Sequence, residues 1–127
     1  MIRIRSQADI PSALYAIRIL STEIGMNHGA SAAIATAASE IVTNVVKYAK
    51  SGTLTLQARC RNGRPGIEVV VQDFGPGIGD VNLALTDRYS TGGTLGLGLP
   101  GARRLVDEFE IASERGQGTR VRILKWG

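Results

Sequence analysis

The sequence predicts an α/β protein, a two-layer sandwich in which a mixed β-sheet carries helices on one face. Strand-like segments, in which apolar and polar residues alternate, occur near both ends and in the middle of the chain. Segments with apolar residues at helical spacing separate them. With 127 residues and 43% hydrophobic content, the chain suits one compact domain over residues 1–127.

The first half of the chain predicts one short strand and two helices. Residues 2–5 alternate like a strand. Asp9 and Pro11 signal a helix start, because aspartate can cap a helix and proline suits its first turn. We expect Ser31 to cap a second helix that runs to about residue 50. The apolar stripe of that helix comprises Ile34, Ala38, Ile41, Val45 and Tyr48.

Two hairpins are predicted in the second half. Strands over 53–60 and 67–72 flank a turn at Asn62-Gly63, and strands over 109–113 and 119–125 flank residues 116–118. Between the hairpins we expect a short helical piece over 81–87, a mobile loop over 88–96 and a helix over 97–108.

Composition narrows the classes of partner. The net charge of +4 permits an acidic partner, but the arginines are dispersed and aromatic residues make up only 5% of the chain. We therefore expect no nucleic-acid binding. We expect no membrane span, and the single cysteine, Cys60, excludes an internal disulfide and favours the cytoplasm. Cys60 alternates with arginines in a strand, which favours a buried structural thiol.

A polar face on the second predicted helix carries the first candidate site. Glu40, Asn44 and Lys47 stand at i, i+4 and i+7 and so share a face. A solvated surface would show the same pattern. Asparagine is a poor helix former, however, and a carboxylate and an amide one turn apart can align an acceptor hydroxyl and offer oxygen to Mg²⁺.

The first glycine-rich stretch follows an apolar strand. Asp73 ends that strand, and Gly75, Gly77 and Ile78 come next. An ordinary strand-to-loop turn has this composition. As a binding site, the glycines would let the backbone approach a flat ligand, and Asp73 would accept a hydrogen bond from the exocyclic amine of adenine.

A second glycine-rich stretch precedes the third predicted helix. Residues 96–101 fit the dinucleotide pattern G-x-G-x-x-G, and Glu114 stands at a plausible later spacing. The polar run 88–94 stands where a hydrophobic strand would have to lead in, so we reject that assignment. Phosphates held at a helix N-terminus remain as the interpretation. The candidate ligands are Ser90, Thr91, Gly92, Gly93, Gly96, Leu97, Gly98 and Leu99.

The last candidate is Thr119, which follows Gly118 at the start of the final strand. It belongs either to a tight hairpin or to the edge of a base pocket. No P-loop signature occurs in the sequence.

In this order the motifs resemble the Bergerat nucleotide-binding fold of gyrase, Hsp90, histidine kinases and MutL, the GHKL superfamily. Glu40 and Asn44 match its N box, Asp73 to Gly77 its first glycine box, residues 92–98 its second, and Gly118-Thr119 its last box. Residues 89–109 and the ending 123–126 resemble the small serine/threonine kinases of stressosomes. Tyr48 departs from the pattern, because many relatives have histidine there.

The resemblance implies a Mg-ATP-dependent kinase that phosphorylates serine or threonine on a STAS-domain antagonist and then activates a downstream phosphatase or other output protein. Glu40 would be the catalytic base and Asn44 the Mg²⁺ ligand. Three alternatives stay open: an anti-sigma factor kinase, a non-catalytic adaptor that binds ATP, and a detached histidine kinase domain.

Overall fold

The computed structural model describes residues 1–75, 98–114 and 116–127. The predicted helical piece over 81–87 and the predicted loop over 88–96 lie outside these ranges. The described elements are β1 (Ile2–Ile4), α1 (Asp9–Glu23), α2 (His28–Asn44), a π-helical segment (Val45–Ala49), β2 (Gly52–Arg61), β3 (Arg64–Asp73), α3 (Gly98–Leu105), β4 (Glu108–Glu114) and β5 (Gly118–Trp126).

The strands form one five-stranded sheet in the order β1-β2-β3-β5-β4. The α/β prediction is confirmed, with one correction: the four pairings between described strands are all antiparallel, whereas we expected a mixed sheet. Alternation along a sequence marks a strand, but it does not fix the direction of the neighbouring strand. The register places Gly52 opposite Asp73, so β3 ends beside the start of β2.

One face of the sheet packs against the helices. On β3, Ile67, Val69 and Val71 are buried, and on β5 Val121 and Ile123 lie opposite Val71 and Val69. These side chains share a face because residues two apart on a strand point the same way. From α2, the buried residues that complete this core include Ile34, Ala37, Ala38, Ile41 and Val42.

Both long helices begin differently from the prediction. Asp9 is the first residue of α1 rather than its cap, and its carboxylate accepts hydrogen bonds from the backbone N–H groups of Arg5 and Ser6, at 2.8 and 3.2 Å. In α2 the cap is Asn27, whose Oδ1 accepts from Ala30 N at 2.7 Å. Ser31 lies within the helix, and its hydroxyl is 2.7 Å from that of Ser21. An asparagine three residues before a free N–H satisfies the helix start as well as a serine does.

The π-helical segment changes the end of the predicted second helix. α2 stops at Asn44, and Val45–Ala49 continue it with wider turns. The stripe prediction holds through Val45, which is buried, but Tyr48 is 46% exposed. The wider turn rotates the residues after Asn44 out of the α-helical phase on which the prediction depended.

By length and mean hydropathy, the helical run His28–Ala49 would qualify as a candidate membrane span. We expected no run of this kind. In the fold, this run supplies Ile34, Ile41 and Val42 to the core between the helices and the sheet. The helix is apolar because it is the central helix of a folded domain.

The opposite face of the sheet carries a charge network around Glu68. Its carboxylate accepts from Arg59 Nη2 at 3.1 Å and from Arg122 Nε at 2.8 Å. Arg122 also reaches Glu108 at 3.3 Å and Glu110 at 3.7 Å. Burial opposes ionisation of Glu68, but the hydrogen bonds and charges of the two arginines prevail and lower its pKa. For Arg122, burial opposes the charged form, and the bonds to Glu68 and Glu108 raise its pKa.

Cys60 is exposed, so the prediction of a buried thiol is wrong. It stands near the far end of the β2–β3 hairpin, opposite Pro65. Alternation placed Cys60 on the same strand face as the buried Leu54, but burial on that face ends before Ala58, which is also exposed.

Candidate functional site

The end of α2 presents a carboxylate and an amide one helical turn apart. Glu40 and Asn44 both lie on α2 and are both half-buried. The regular α-helix reaches Asn44, so the i, i+4 relation expected from the sequence applies to this pair.

Lys47 was expected on the same face at i+7, but it lies in the π-helical segment and is exposed. The π-helical turn ends the α-helical phase before Lys47. The α-helical spacing therefore applies to Glu40 and Asn44, while the place of Lys47 on their face stays a prediction.

Asn44 faces the start of α3. A Cβ placed on Gly98 would lie 3.6 Å from Asn44 Nδ2 and 3.9 Å from its Oδ1. Gly98 is the first residue of α3 that the structure describes, and N–H groups in the first turn of a helix have no partner within it. The Asn44 amide and a helix N-terminus thus meet, which is a suitable arrangement for phosphate and its cation.

Leu99, next in α3, is 7% exposed and belongs to the core. Its side chain is therefore committed to packing, and its backbone is the part left for a ligand. Six other predicted nucleotide ligands lie outside the described residues, together with Gly77 and Ile78: Ser90, Thr91, Gly92, Gly93, Gly96 and Leu97.

Asp73 joins three segments at the end of β3. The residue is 8% exposed, and its Oδ1 accepts from the N–H groups of Gly75, at 3.0 Å, and Thr119, at 3.1 Å. Within the described part of the chain, no hydrogen bond reaches Oδ2. A carboxylate held by one oxygen can accept from a ligand with the other.

Two glycines make this close packing possible. A Cβ on Gly75 would lie 2.5 Å from Ala49 Cβ in the π-helical segment. Gly118 has a φ of +98°, and a Cβ there would collide with the carbonyl oxygen of Asp73. Only glycine fits both positions, so the first and last glycine motifs shape one end of the sheet.

Ser113 on β4 also belongs to this site, and no sequence motif indicated it. It pairs across the sheet with Thr119, and the two hydroxyl oxygens are 2.8 Å apart. The Ser113 hydroxyl also donates to the carbonyl oxygen of Gly118 at 3.1 Å. Counting outward from the predicted hairpin turn at residues 116–118 places residue 113 opposite residue 119. The predicted strand pairing could therefore have identified Ser113 as a neighbour of Thr119.

The donor set fits ATP with a magnesium ion. Across the described ranges, no cluster of three histidine, cysteine, aspartate or glutamate residues is available to hold a metal alone. Mg²⁺ keeps several waters and takes few protein ligands when phosphates are present. The Asn44 oxygen beside the α3 N-terminus suits that mode, and Asp73 offers an acceptor for a base.

The chain belongs to the family of histidine kinase-like ATPase domains, because the model of that family matches residues 6–125. The predicted GHKL membership is thereby confirmed. Solved structures show the same fold: the mycobacterial sensor histidine kinase MprB has a TM-score of 0.58 at 20% identity, over 76% of this chain and 72% of that one.

Among curated relatives, the serine/threonine-protein kinase RsbT of Bacillus subtilis (strain 168) is 38% identical over 125 residues, 98% of this chain and 94% of RsbT. The anti-sigma F factor of Caldanaerobacter subterraneus subsp. tengcongensis is 37% identical over 99 residues, 73% of this chain and 68% of that protein. The chain is an ATP-dependent enzyme of the kinase class, as predicted.

Proposed function

We propose that this domain, acting as one unit over residues 1–127, is a cytoplasmic Mg-ATP-dependent serine/threonine kinase in a stressosome-type partner-switching pathway. Its substrate is a STAS-domain antagonist, and its release activates a downstream phosphatase or other output protein. The meeting of Asn44 with the start of α3 at Gly98 carries the proposal. The similarity to the serine/threonine-protein kinase RsbT over almost the whole of both chains supports serine or threonine as the residue that receives the phosphate.

Each residue of the site has a role in this proposal. Asp73 accepts a hydrogen bond from the adenine amine, with Thr119 beside it. Asn44 contributes one oxygen to Mg²⁺, and the N–H groups at the start of α3 receive phosphate oxygens. ATP supplies the γ-phosphoryl group, and Mg²⁺ neutralises charge on its oxygens.

Glu40 is the proposed base. Its carboxylate lies one turn before Asn44 and takes the proton from the serine or threonine hydroxyl as the oxygen bonds to the γ-phosphorus and the bond to ADP breaks. Positioning and charge neutralisation supply the rest of the rate enhancement.

The test replaces the base and keeps its shape. Glu40→Gln should bind Mg-ATP within a few-fold of wild type but transfer phosphate at least about 10²-fold more slowly, because the amide cannot take the proton. Phosphorylation of STAS proteins is followed by mass spectrometry, and ATP affinity by calorimetry.

Glu23→Gln is the matched control, because Glu23 is an exposed glutamate at the end of α1. It should leave both measurements unchanged. Full turnover in the Glu40→Gln variant would show that Glu40 is a surface charge. Wild-type protein that binds ATP but phosphorylates no STAS protein would favour a non-catalytic adaptor.

The anti-sigma F relatives favour a second candidate, a kinase that also binds a sigma factor directly. The two candidates differ in their binding partner: the first binds a STAS-domain antagonist, and the second also binds a sigma factor. Pull-down of purified sigma factors and STAS proteins with and without Mg-ATP separates them, since retention of a sigma factor would support the second.

A further inference from the structure

We infer that Ser113 determines base specificity: it fixes the direction of the Thr119 hydroxyl, so that the base pocket presents hydrogen-bond acceptors and no hydroxyl donor. This inference rests on the proposed assignment of Asp73 and Thr119 to adenine. It adds a positioning residue from a strand, β4, to which the sequence motifs assign no role in the site.

The geometry is a chain of three groups at the end of the β4–β5 hairpin. Ser113 Oγ is 3.1 Å from the carbonyl oxygen of Gly118 and 2.8 Å from Thr119 Oγ1. Thr119 is 9% exposed, and its register partner across the hairpin is Ser113. The close cross-strand pairing holds both hydroxyls in place.

Counting protons fixes the direction of the chain. A serine hydroxyl has one proton, and a carbonyl oxygen can only accept. Both contacts are hydrogen bonds only if Ser113 donates to Gly118 and Thr119 donates to Ser113. The Thr119 proton then points along the sheet towards β4, and the hydroxyl has only lone pairs left for the pocket.

Asp73 adds a second acceptor to the same place. Its Oδ1 accepts from Thr119 N at 3.1 Å, so the carboxylate and the Thr119 backbone are in direct contact. Asp73 is in phase with Val71 on β3, and Thr119 is in phase with Val121 on β5, so both point to the helix-bearing side.

A pocket with two acceptors selects the group at position 6 of a purine. With position 6 facing these acceptors, as in the proposed base assignment, the amine of adenine donates to either one. The carbonyl oxygen of guanine or hypoxanthine would instead face lone pairs and find no hydroxyl donor, and the base would have to shift to bring its N1–H to an acceptor. Without Ser113 the Thr119 hydroxyl can rotate and donate to a carbonyl. Ser113→Ala should therefore weaken discrimination against 6-oxopurines more than it weakens ATP binding.

The test measures binding of Mg-ATP and Mg-ITP by calorimetry, because inosine has a carbonyl oxygen in place of the 6-amine of adenosine. Its N1 also carries a proton, but this difference is common to wild type and variant, so the change in the ATP to ITP ratio on mutation reports on Ser113. In Ser113→Ala the preference for ATP over ITP should fall by about three- to tenfold, the effect of one hydrogen bond. Ser113→Thr keeps a hydroxyl on a side chain that suits a strand, and it should restore the preference.

A double-mutant cycle separates this role from general support of the hairpin. Thr119→Val removes the hydroxyl that Ser113 is inferred to orient. In that background Ser113→Ala should leave the ATP to ITP ratio unchanged. If Ser113→Ala does not fold, Ser113→Cys gives the same test, because a thiol is a weak acceptor.

The outcomes distinguish this inference from the proposed function. An unchanged ratio in Ser113→Ala, with Asp73→Asn lowering ATP affinity, overturns the role of Ser113 and leaves the base assignment standing. A wild-type protein that binds ATP and ITP equally, or an Asp73→Asn variant with full ATP affinity, overturns the base assignment and this inference with it.

Discussion

At the scale of single residues, glycines allow the site to close around Asp73. Gly116 and Gly118 both have positive φ, +84° and +98°, within one hairpin turn. They differ in surroundings: a Cβ on Gly116 would meet nothing within 4 Å, whereas one on Gly118 would collide with the Asp73 carbonyl. Substitution of Gly116 therefore measures the cost of the positive φ alone, and substitution of Gly118 measures that cost together with a steric clash.

Gly116→Ala should lower the free energy of unfolding by about 1–2 kcal/mol, the cost of left-handed backbone for a residue with a Cβ. Gly118→Ala should cost about 1–3 kcal/mol more, because Asp73 and β3 must also move. Urea denaturation followed by circular dichroism measures both. Equal losses of unfolding free energy in the two variants would mean that the backbone of β3 at Asp73 moves away from the added Cβ at no measurable cost.

Residue types and spacing predicted part of the site and not the rest. Asp73, Thr119, Glu40 and Asn44 could be chosen because acids, amides and glycines occur there at informative spacing. Ser113 was missed because a serine in a strand has no signal of its own, although the predicted hairpin already places it opposite Thr119. The alternation of Cys60 with arginines predicted a buried thiol, which is wrong. The sequence does not show where along β2 the helices stop covering the sheet.

At the scale of elements, strands were predictable and the continuation of α2 was not. Alternating residues identified all five described strands to within a few positions. A π-helical turn changes the phase of the helix without any change in composition, so Tyr48 was wrongly assigned to the buried stripe. The helix cap was also misplaced, since Asn27 and Ser31 are equally good capping residues.

The central strand β3 also carries a charge on its outer face, and this predicts a pH effect. The pKa of Glu68 is lowered in the folded state, so its contribution is present above the unfolded pKa and is lost as the pH falls through the folded pKa. Glu68→Gln should cost about 1–3 kcal/mol at neutral pH, and the difference from wild type should shrink as the solution becomes acidic.

Glu110→Gln is the control on the same face. Glu110 is 3.7 Å from Arg122 and its side chain is 67% exposed, so its loss should cost less than about 1 kcal/mol. Urea midpoints across neutral and acidic pH give the comparison. A Glu68→Gln deficit that stayed constant down to strong acid would show that packing, and not charge, supplies the contribution of Glu68.

At the scale of the whole molecule, the proposed ligand links segments that are far apart in sequence. Asn44 on α2, Asp73 on β3 and Thr119 on β5 belong to different parts of the chain. A nucleotide that touches all three binds only the folded state. Stability should therefore increase with nucleotide concentration.

Mg-ATP at a hundred times its dissociation constant should stabilise the fold by about 2.7 kcal/mol. For a domain of this size the rise in Tm is roughly 10 °C. Thermal unfolding is followed by circular dichroism, with Asn44→Ala as the variant that should lose the magnesium-dependent part of the rise. No rise in wild type at saturating Mg-ATP would contradict a nucleotide site.

The single cysteine gives the domain a built-in reporter position. Cys60 is exposed and pairs with Pro65, eight positions along β2 from Gly52, the partner of Asp73. At about 3.3 Å per residue this separation is roughly 26 Å. A maleimide dye or spin label therefore attaches at one place, away from the proposed base site at Asp73. Fluorescence or electron paramagnetic resonance from that position can follow partner docking in unmutated protein.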